Sequence, residues 1–545
     1  MHGLMMDVPL SIPLIARRAL TLYGSRPIVS RRPDRSLHRS TYHEVLGRSA
    51  RLARALRRLG VKPGDRVATL AWNHARHLEA YFAIPSIGAV LHTLNLRLHP
   101  DDITYIATHA EDQVVLVDKV LWPLWEQCTG RVAARHVVVM SDDGIVPPGT
   151  LDYETLVAGE DDGFAWDDLP EQTAAAMCYT SGTTGRPKGV VYSHRSMTLH
   201  ALGAGMVHVT GLSERDTVLP VVPMFHVNAW GLPYACGMFG AAQVFPGPHL
   251  DPASLLGLLA DERVTLTAGV PTIWLGILQA LDAEPGRYDL SRLRAMLVGG
   301  SAAPSAMIRG FRQRHGLHVL HLWGMTETSP IGTAAFLSPA LLDADETTQD
   351  AYRAKQGRAA PLVEIRGRSA QGLIPWDGTT MGELEVRGAW VARQYYGADG
   401  PDDRFTADGW FRTGDIVTID HEGNMTIQDR AKDLVKSGGE WISSVALEGA
   451  LMGHPDVAEA AVVAVPHAKW DERPLAVVVM KPGRTFDEAA LRGLLEGMFA
   501  KWWVPDAILP ADAIPKTSAG KFLKSALREQ HRAHYGVADE SARGG

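Results

Sequence analysis

One stretch constrains this chain more than any other: Tyr179-Thr-Ser-Gly-Thr-Thr-Gly-Arg-Pro-Lys-Gly-Val190. It carries three glycines, four Ser/Thr hydroxyls and Lys188. The apolar run Ala174–Cys178 leads into it and Val190-Val-Tyr192 leads out, so it is predicted to join two short buried strands. Glycine lets backbone N–H groups approach an anion, while the hydroxyls and the lysine add donors and charge. A solvated turn needs no such density, and the stretch reads as a loop that grips nucleotide phosphates. It is not a Walker A loop. That pattern places Gly-Lys directly ahead of a helix, whereas Gly185-Arg-Pro-Lys188 interrupts it and a strand follows.

A chain of 545 residues exceeds one hydrophobic core, so two or more domains are expected. A net charge of −7 with no basic stripe argues against a nucleic-acid partner. Cys128, Cys178 and Cys236 are far apart and form no CxxC pair, which fits a reducing compartment and argues against a disulfide scaffold or a cysteine zinc site. The N-terminus lacks a basic segment followed by an apolar core, and no uncharged apolar run reads as a membrane span. These features predict a cytoplasmic protein.

Residues 1–40 show little periodicity and read either as a packed arm or as a loose lead-in. Thr41-Tyr-His-Glu44 looks like a capping box, and Val45, Leu52, Leu56 and Leu59 recur at helical spacing until Gly60. Arg66–Ala71 is predicted as a strand, Ala75–Ile84 as a helix stopped by Pro85, and Gln113–Asp118 and His136–Met140 as strands. Alternation of this kind predicts an α/β fold with largely parallel sheets. The Asp-, Gly- and Pro-rich stretch Ser141–Asp168 reads as a surface excursion. Val218–His226 reads as an apolar strand that delivers a histidine, and Leu297-Val-Gly-Gly-Ser-Ala-Ala-Pro304 as a strand end small enough for a flat ring to lie against backbone. Gly382–Gly388 alternates like a strand, and Asp415 follows the turn Asp408–Gly414, where a carboxylate could accept ribose hydroxyls or simply cap backbone. After the charged run Asp429–Lys436 the pattern changes to a helix (Val445–Met452), two strands (Ala460–Val465, Leu475–Met480) and a helix (Asp487–Met498). That is a small α+β unit of roughly 110 residues.

Tyr179-Thr-Ser-Gly-Thr-Thr-Gly-Arg-Pro-Lys-Gly resembles the signature of the AMP-forming adenylate-forming superfamily, which holds acyl-CoA synthetases, peptide-synthetase adenylation domains and luciferases. Further segments match it: His321-Leu-Trp-Gly-Met-Thr-Glu-Thr328, Asp408–Asp415, Asp429–Lys436 and Ile514-Pro-Lys-Thr-Ser-Ala-Gly-Lys-Phe-Leu-Lys524. The stretches Ser437–Ser444 and Pro223–Trp230 look most like bacterial fatty-acid and methylmercaptopropionate CoA ligases. The resemblance implies a large N-terminal domain (1–431) and a mobile C-terminal domain (432–545), with Lys432 as the hinge. It implies ATP, Mg²⁺ and coenzyme A, and a small carboxylic acid as substrate. By the same match, Lys521, Glu327, Thr180 and His226 would be catalytic, with Glu327 on the metal. Ser181, Gly182, Thr183, Thr184, Gly185, Lys188, Gly300, Ser301, Ala302, Trp323, Gly324, Met325, Thr326, Asp415, Arg430 and Gly439 would bind nucleotide or coenzyme A. Trp230, Gly299, Leu322 and Ile331 would line the acyl pocket. Two positions depart from the pattern. Trp323 replaces the usual tyrosine, and Leu322 stands where long-chain relatives typically have glycine, which predicts a short to medium acid, branched, hydroxylated or sulfur-containing acids included. Such ligases are often homodimers, which the residues here neither support nor deny. A long-chain ligase and an adenylating enzyme with a non-CoA acceptor remain alternatives. A non-catalytic nucleotide sensor would be expected to lack Lys521 or Glu327.

Overall fold

The computed structural model describes residues 1–180, 186–398, 400, 402–438, 440–516 and 521–536. Among these the chain builds four sheets. The first runs in the spatial order Leu151–Asp152, His136–Met140, Asp112–Asp118, Arg66–Leu70, Val90–Thr93, Ala174–Tyr179, Gly189–Ser193. Its strands pair in parallel except the last, which returns antiparallel after the phosphate loop. The second sheet has a parallel centre, Ala242–Phe245, Thr217–Pro220, Leu266–Gly269, Ala295–Val298 and Val319–Gly324. The third, Val363–Ser369 to Met425–Arg430, is antiparallel, and the fourth begins beyond it at Val435–Ser437.

Helices Ile12–Tyr23, Tyr42–Arg58, Ala75–Ser86, His194–Gly205 and Leu232–Phe239 fill the space against the first two sheets, giving one continuous apolar core. Half of the capping box forms: the Glu44 amide donates to Thr41 Oγ1, while the Thr41 hydroxyl donates to the Glu44 carboxylate at 3.1 Å in place of the reciprocal backbone bond. Pro85 does not stop its helix, which runs on to Ser86. Proline removes the N–H that would serve the carbonyl four residues earlier. That carbonyl, on Tyr81, instead accepts the buried Tyr234 hydroxyl at 2.8 Å.

Of residues 1–40, the first eight are exposed and the rest form a packed arm rather than a loose lead-in. Ile12, Ile15 and Ala19 are buried, and Pro27–Arg31 joins the second sheet. The Ser141–Asp168 stretch is not wholly a surface excursion either, because the helix Tyr153–Ala158 buries Tyr153, whose hydroxyl donates to Glu79 at 2.5 Å. The strand expected over Val218–His226 stops at Pro220. Beyond it the segment is held by side chains rather than by a ladder: Asn73 donates to the carbonyls of Pro220 and Val222 and accepts from the Met224 amide.

Candidate active site

The phosphate loop leaves the first sheet at Tyr179, and its two ends are pinched together. The Thr180 amide donates to the Lys188 carbonyl at 2.9 Å, and the Lys188 amide donates to Thr180 Oγ1 at 3.1 Å. Both ends rest on the helix Pro100–His109. The Tyr179 hydroxyl meets His109 Nδ1 at 2.6 Å, and the Arg186 guanidinium lies 5.0 Å over the Tyr105 ring, which stacks on His109. Ser181, Gly182, Thr183, Thr184, Gly185 and Gly439 lie outside the described residues. Neither His109 nor Tyr105 stands out in the sequence, because only the fold brings that helix beneath the loop. His109→Phe keeps a ring and loses the hydrogen bond, so KM for ATP should rise about fivefold with kcat changed less. His109→Asn should recover part of the loss, and steady-state kinetics at varied ATP would check both.

Lys188 reaches across the loop mouth to Asp402 at 3.0 Å, with its ammonium 4.6 Å over the Tyr395 ring. The Tyr395 hydroxyl donates to Glu327 Oε1 at 2.5 Å, and Arg404 covers the same ring at 4.6 Å with a guanidinium nitrogen 3.8 Å from Glu327. Burial, then the Glu327 charge, hold the Tyr395 phenol well above its usual range, so it remains a donor. Tyr395, Asp402 and Arg404 are site residues that no local pattern in the sequence marks.

The second and third sheets meet at Trp323 and Asp415. The indole Nε1 of Trp323 donates to Asp415 Oδ2 at 2.8 Å, and Arg430 Nε sits 2.6 Å from Oδ1. Asp415 and Arg430 are register partners on neighbouring strands. Each carboxylate oxygen keeps a lone pair for a further donor, as a pair of ribose hydroxyls requires. An indole N–H thus gives this carboxylate a fixed donor where the usual tyrosine would present a ring hydroxyl. Gly324, Met325, Thr326 and Ile331 line the same pocket, about 640 Å³ in volume, with Gly299, Gly300 and Leu322. Ser301 and Ala302 stand outside its lining.

The Trp230 side of the pocket is shaped by an unusual turn. Val227, Asn228, Ala229 and Trp230 all have positive φ, between 46° and 57°, before Gly231 at 72°. A left-handed turn costs about 1–2 kcal/mol per non-glycine residue, and such strain persists only where the surroundings over-determine it. Here the whole turn is buried, and Asn228 Oδ1 accepts from the Cys178 thiol at 3.3 Å. The turn carries Trp230 onto Gly299, where a Cβ would meet the indole at 3.2 Å and the Leu322 carbonyl at 3.0 Å. The flat ring lying on this small-residue backbone is therefore the protein's own tryptophan. Beyond Trp230 the space narrows to a cavity of about 50 Å³.

From the far side of residues 431–434, Lys521 enters the same pocket beside Gly300, its Cε 4.0 Å from where a Cβ on that glycine would lie. Burial, and then Arg430, lower its ammonium to about 8 against the opposing pull of Asp415 and Glu327. Burial, followed by the charges of Lys521 and Arg97, pushes His226 down to about 4, so this imidazole is neutral near pH 7. The site therefore gathers Thr180, Lys188, Glu327, Arg430 and Lys521 around one cavity, with Asp415 held by Trp323 and Arg430 from its wall.

The sequence model of the AMP-binding enzymes matches residues 17–396, and that of the AMP-binding enzyme C-terminal domain matches residues 446–521. The chain belongs to the AMP-binding enzyme family. It is 52% identical over 537 residues to a long-chain-fatty-acid–CoA ligase of Thermus thermophilus, with 98% of each chain covered. It is 44% identical to a medium-chain-fatty-acid–CoA ligase of Ectopseudomonas oleovorans, covering 97% of this chain and 98% of the relative. It is also 44% identical to a 3-methylmercaptopropionyl-CoA ligase of Ruegeria pomeroyi, covering 98% and 99%. Among solved structures, ATP-bound MatB from Rhodopseudomonas palustris aligns with a TM-score of 0.82 at 28% identity, covering 96% of this chain and all of that one.

In this AMP-binding enzyme, no cluster of three or more metal-ligating side chains forms among the described residues. Glu327, buried beside the phosphate loop, is a fitting partner for Mg²⁺, which is typically held by one or two carboxylates together with substrate phosphates. Bound there, the ion would neutralise charge on the phosphates. No helix of the described residues is long and apolar enough to cross a membrane.

Proposed function

We propose that this chain is an ATP-dependent, AMP-forming acid–CoA ligase whose preferred acid is short to medium in length. The observation that carries the reading is Lys521, which stands in one pocket with Glu327, Arg430 and Trp230 although it belongs to the C-terminal body. A carboxylate is a poor acylating agent because oxide would have to leave. Attack of a carboxylate oxygen on the α-phosphorus of ATP forms the acyl–AMP bond and expels pyrophosphate. This chain's part in that step is to align the two anions and stabilise developing charge. Thr180, Lys188 and Thr326 hold phosphate oxygens, Trp323 and Gly300 flank the adenine, Asp415 and Arg430 hold the ribose, and Lys521 faces the reacting oxygens.

A thiolate sulfur then attacks the acyl carbon, the carbon–oxygen bond to AMP breaks, and AMP leaves. That step needs Lys521 withdrawn, which a rotation at Lys432 between domains 1–431 and 432–545 accomplishes. Withdrawal also removes one of the charges that depress His226, and so leaves that imidazole more basic in the thiol-attack pose. AMP release assayed with a panel of acids, with and without CoA, tests the reading. CoA-independent turnover, or light output, would refute it.

The length preference rests on Leu322, which lines the pocket beside Trp230 and Ile331. Each methylene excluded costs about 0.8 kcal/mol, roughly fourfold in kcat/KM. Leu322→Gly should shift the optimum several carbons longer, with a stability loss of about 3 kcal/mol from the cavity. Rates for hexanoate, decanoate and hexadecanoate in both proteins would decide it, and an unmoved profile would rule out Leu322 as the block. A long-chain preference is the second reading, favoured by the 52% identity to the Thermus ligase and tested by the same panel. The three buried, unpaired cysteines support a cytoplasmic location. The resemblance carries a homodimer as a proposal, which light scattering would test.

A further inference from the structure

A second cavity, of about 260 Å³, opens on the first sheet away from the active site. Its place follows from strand order. From Arg66–Leu70 the chain winds to Val90–Thr93 on one side, then crosses back to Asp112–Asp118 and His136–Met140 on the other, all pairing in parallel. The winding therefore reverses between Arg66–Leu70 and Asp112–Asp118, and the loops leaving their carboxyl ends part in opposite directions. Open α/β sheets bind ligands in such a crevice. Trp72 and His74 line it from the first strand, and Asp118 and Lys119 from the second. The phosphate loop leaves the same edge of the sheet, after Ala174–Tyr179, so the active site occupies a different part of that edge.

The charges around the cavity are unevenly matched. Glu79 and Glu154 hold Arg48 at 2.7 and 2.9 Å, Asp142 holds Arg76 at 2.5 Å, and Asp118 holds His74 at 2.7 Å. Arg31 and Arg32 reach in from the second sheet without a close carboxylate. Among the described residues Arg31 has none within ion-pair distance; its Nη1 donates to the Ser254 carbonyl at 2.9 Å, while its Nε is buried without an acceptor. The nearest carboxylate to Arg32 is Asp142, at 4.0 Å. His38 registers the resulting field: burial, then Arg32, Arg48 and Arg76, lower it. Trp72, Val120 and Met140 supply apolar wall.

The cavity is also wired to the acyl pocket. Asn73, between Trp72 and His74, donates to the Pro220 and Val222 carbonyls at 2.9 and 3.0 Å and accepts from the Met224 amide at 2.7 Å. That segment runs directly into His226 and the left-handed turn of Trp230. A shift of the cavity loop is thereby passed to the wall beside the acid.

We propose that this cavity is a second ligand site for a small organic anion, a carboxylate or phosphate head on a compact apolar body, and that its occupancy acts through Asn73 on acid binding. The coupling rests on the ligase reading; the binding does not. Isothermal titration of the full chain with hexanoate and with hexyl phosphate tests it, using wild type, the double variant Arg31→Ala/Arg32→Ala, and Val120→Trp. Val120 is 48% exposed, so the last variant fills the cavity without threatening the core or changing charge. Wild type should bind an equivalent that both variants lose or bind about tenfold more weakly. The tighter of the two ligands identifies the head group. Without ligand the variants should turn over like wild type, and hexyl phosphate should shift KM for the acid by about twofold or more in wild type alone. Equal binding by all three proteins would overturn the site. A variant-sensitive equivalent with no KM shift would overturn the coupling. Failure of the ligase reading would instead remove the equivalent common to all three proteins and leave their difference intact.

Discussion

Lys521→Ala should slow acyl-adenylate formation by roughly 10²–10³-fold, the usual loss for one preorganised charge donor. Thioester formation from pre-made acyl-adenylate should be largely spared, since on the proposed two-pose mechanism Lys521 is withdrawn for that step. The structure adds a pH signature. Burial and Arg430 lower this lysine to about 8, so its charge is present below that pH and lost above it. The kcat/KM of the adenylation half-reaction, which reports the free enzyme, should therefore fall on the basic side of about pH 8. Lys521→Arg, which stays charged, should lack that limb. Pyrophosphate release and thioester formation measured separately across pH would check all of this. An equal loss in both half-reactions would contradict the assignment.

The parts of the site legible in the sequence are those whose chemistry is contiguous. A loop dense in glycine, hydroxyls and lysine announces phosphate binding by composition alone, and the segments around Glu327, Asp415 and Lys521 are readable through the resemblance. Residues that act through the fold are not legible. Tyr395 reaches Glu327 across 68 positions, and His109 reaches Tyr179 across 70, so no window contains either pair. The left-handed turn at Val227–Trp230 hides for another reason. Its residues are ordinary apolar or amide types, and only complete burial holds them at positive φ. The same limit explains Pro85, which reads locally as a stop. A hydroxyl 149 positions away, on Tyr234, serves the carbonyl that the proline leaves open. The α/β alternation was visible because buried parallel strands read as short apolar runs, whereas the helix Tyr153–Ala158 was masked by its Asp- and Gly-rich flanks.

Lys432→Pro should leave adenylation nearly intact and reduce thioester formation by about 10²-fold or more, provided that Lys432 is the pivot. Proline fixes φ and removes the backbone donor, and it is tolerated where that donor is not in use. In the pose described, with Lys521 in the pocket, the amides of Ala431, Asp433 and Leu434 are all bonded, to the carbonyls of Gly414 and Arg430. Among the described residues the Lys432 amide makes no such bond, so proline forfeits nothing here. The Lys432 carbonyl is held by Arg528 at 3.1 Å, and Arg528 also pairs with Asp433, so the strand after the pivot is already anchored to the last helix. On the near side, Asp429 accepts from the Ser444 amide at 2.7 Å and hydroxyl at 2.6 Å, locking the start of the helix Ser444–Met452 to the strand Met425–Arg430. Rotation must break that lock and swing φ or ψ within residues 431–434. A fixed φ at 432 removes one of the few torsions available for the swing. Single-turnover assays of each half-reaction would read the effect directly. Unchanged overall turnover would reject Lys432 as the pivot, and a loss confined to adenylation would mean that proline selects the other pose.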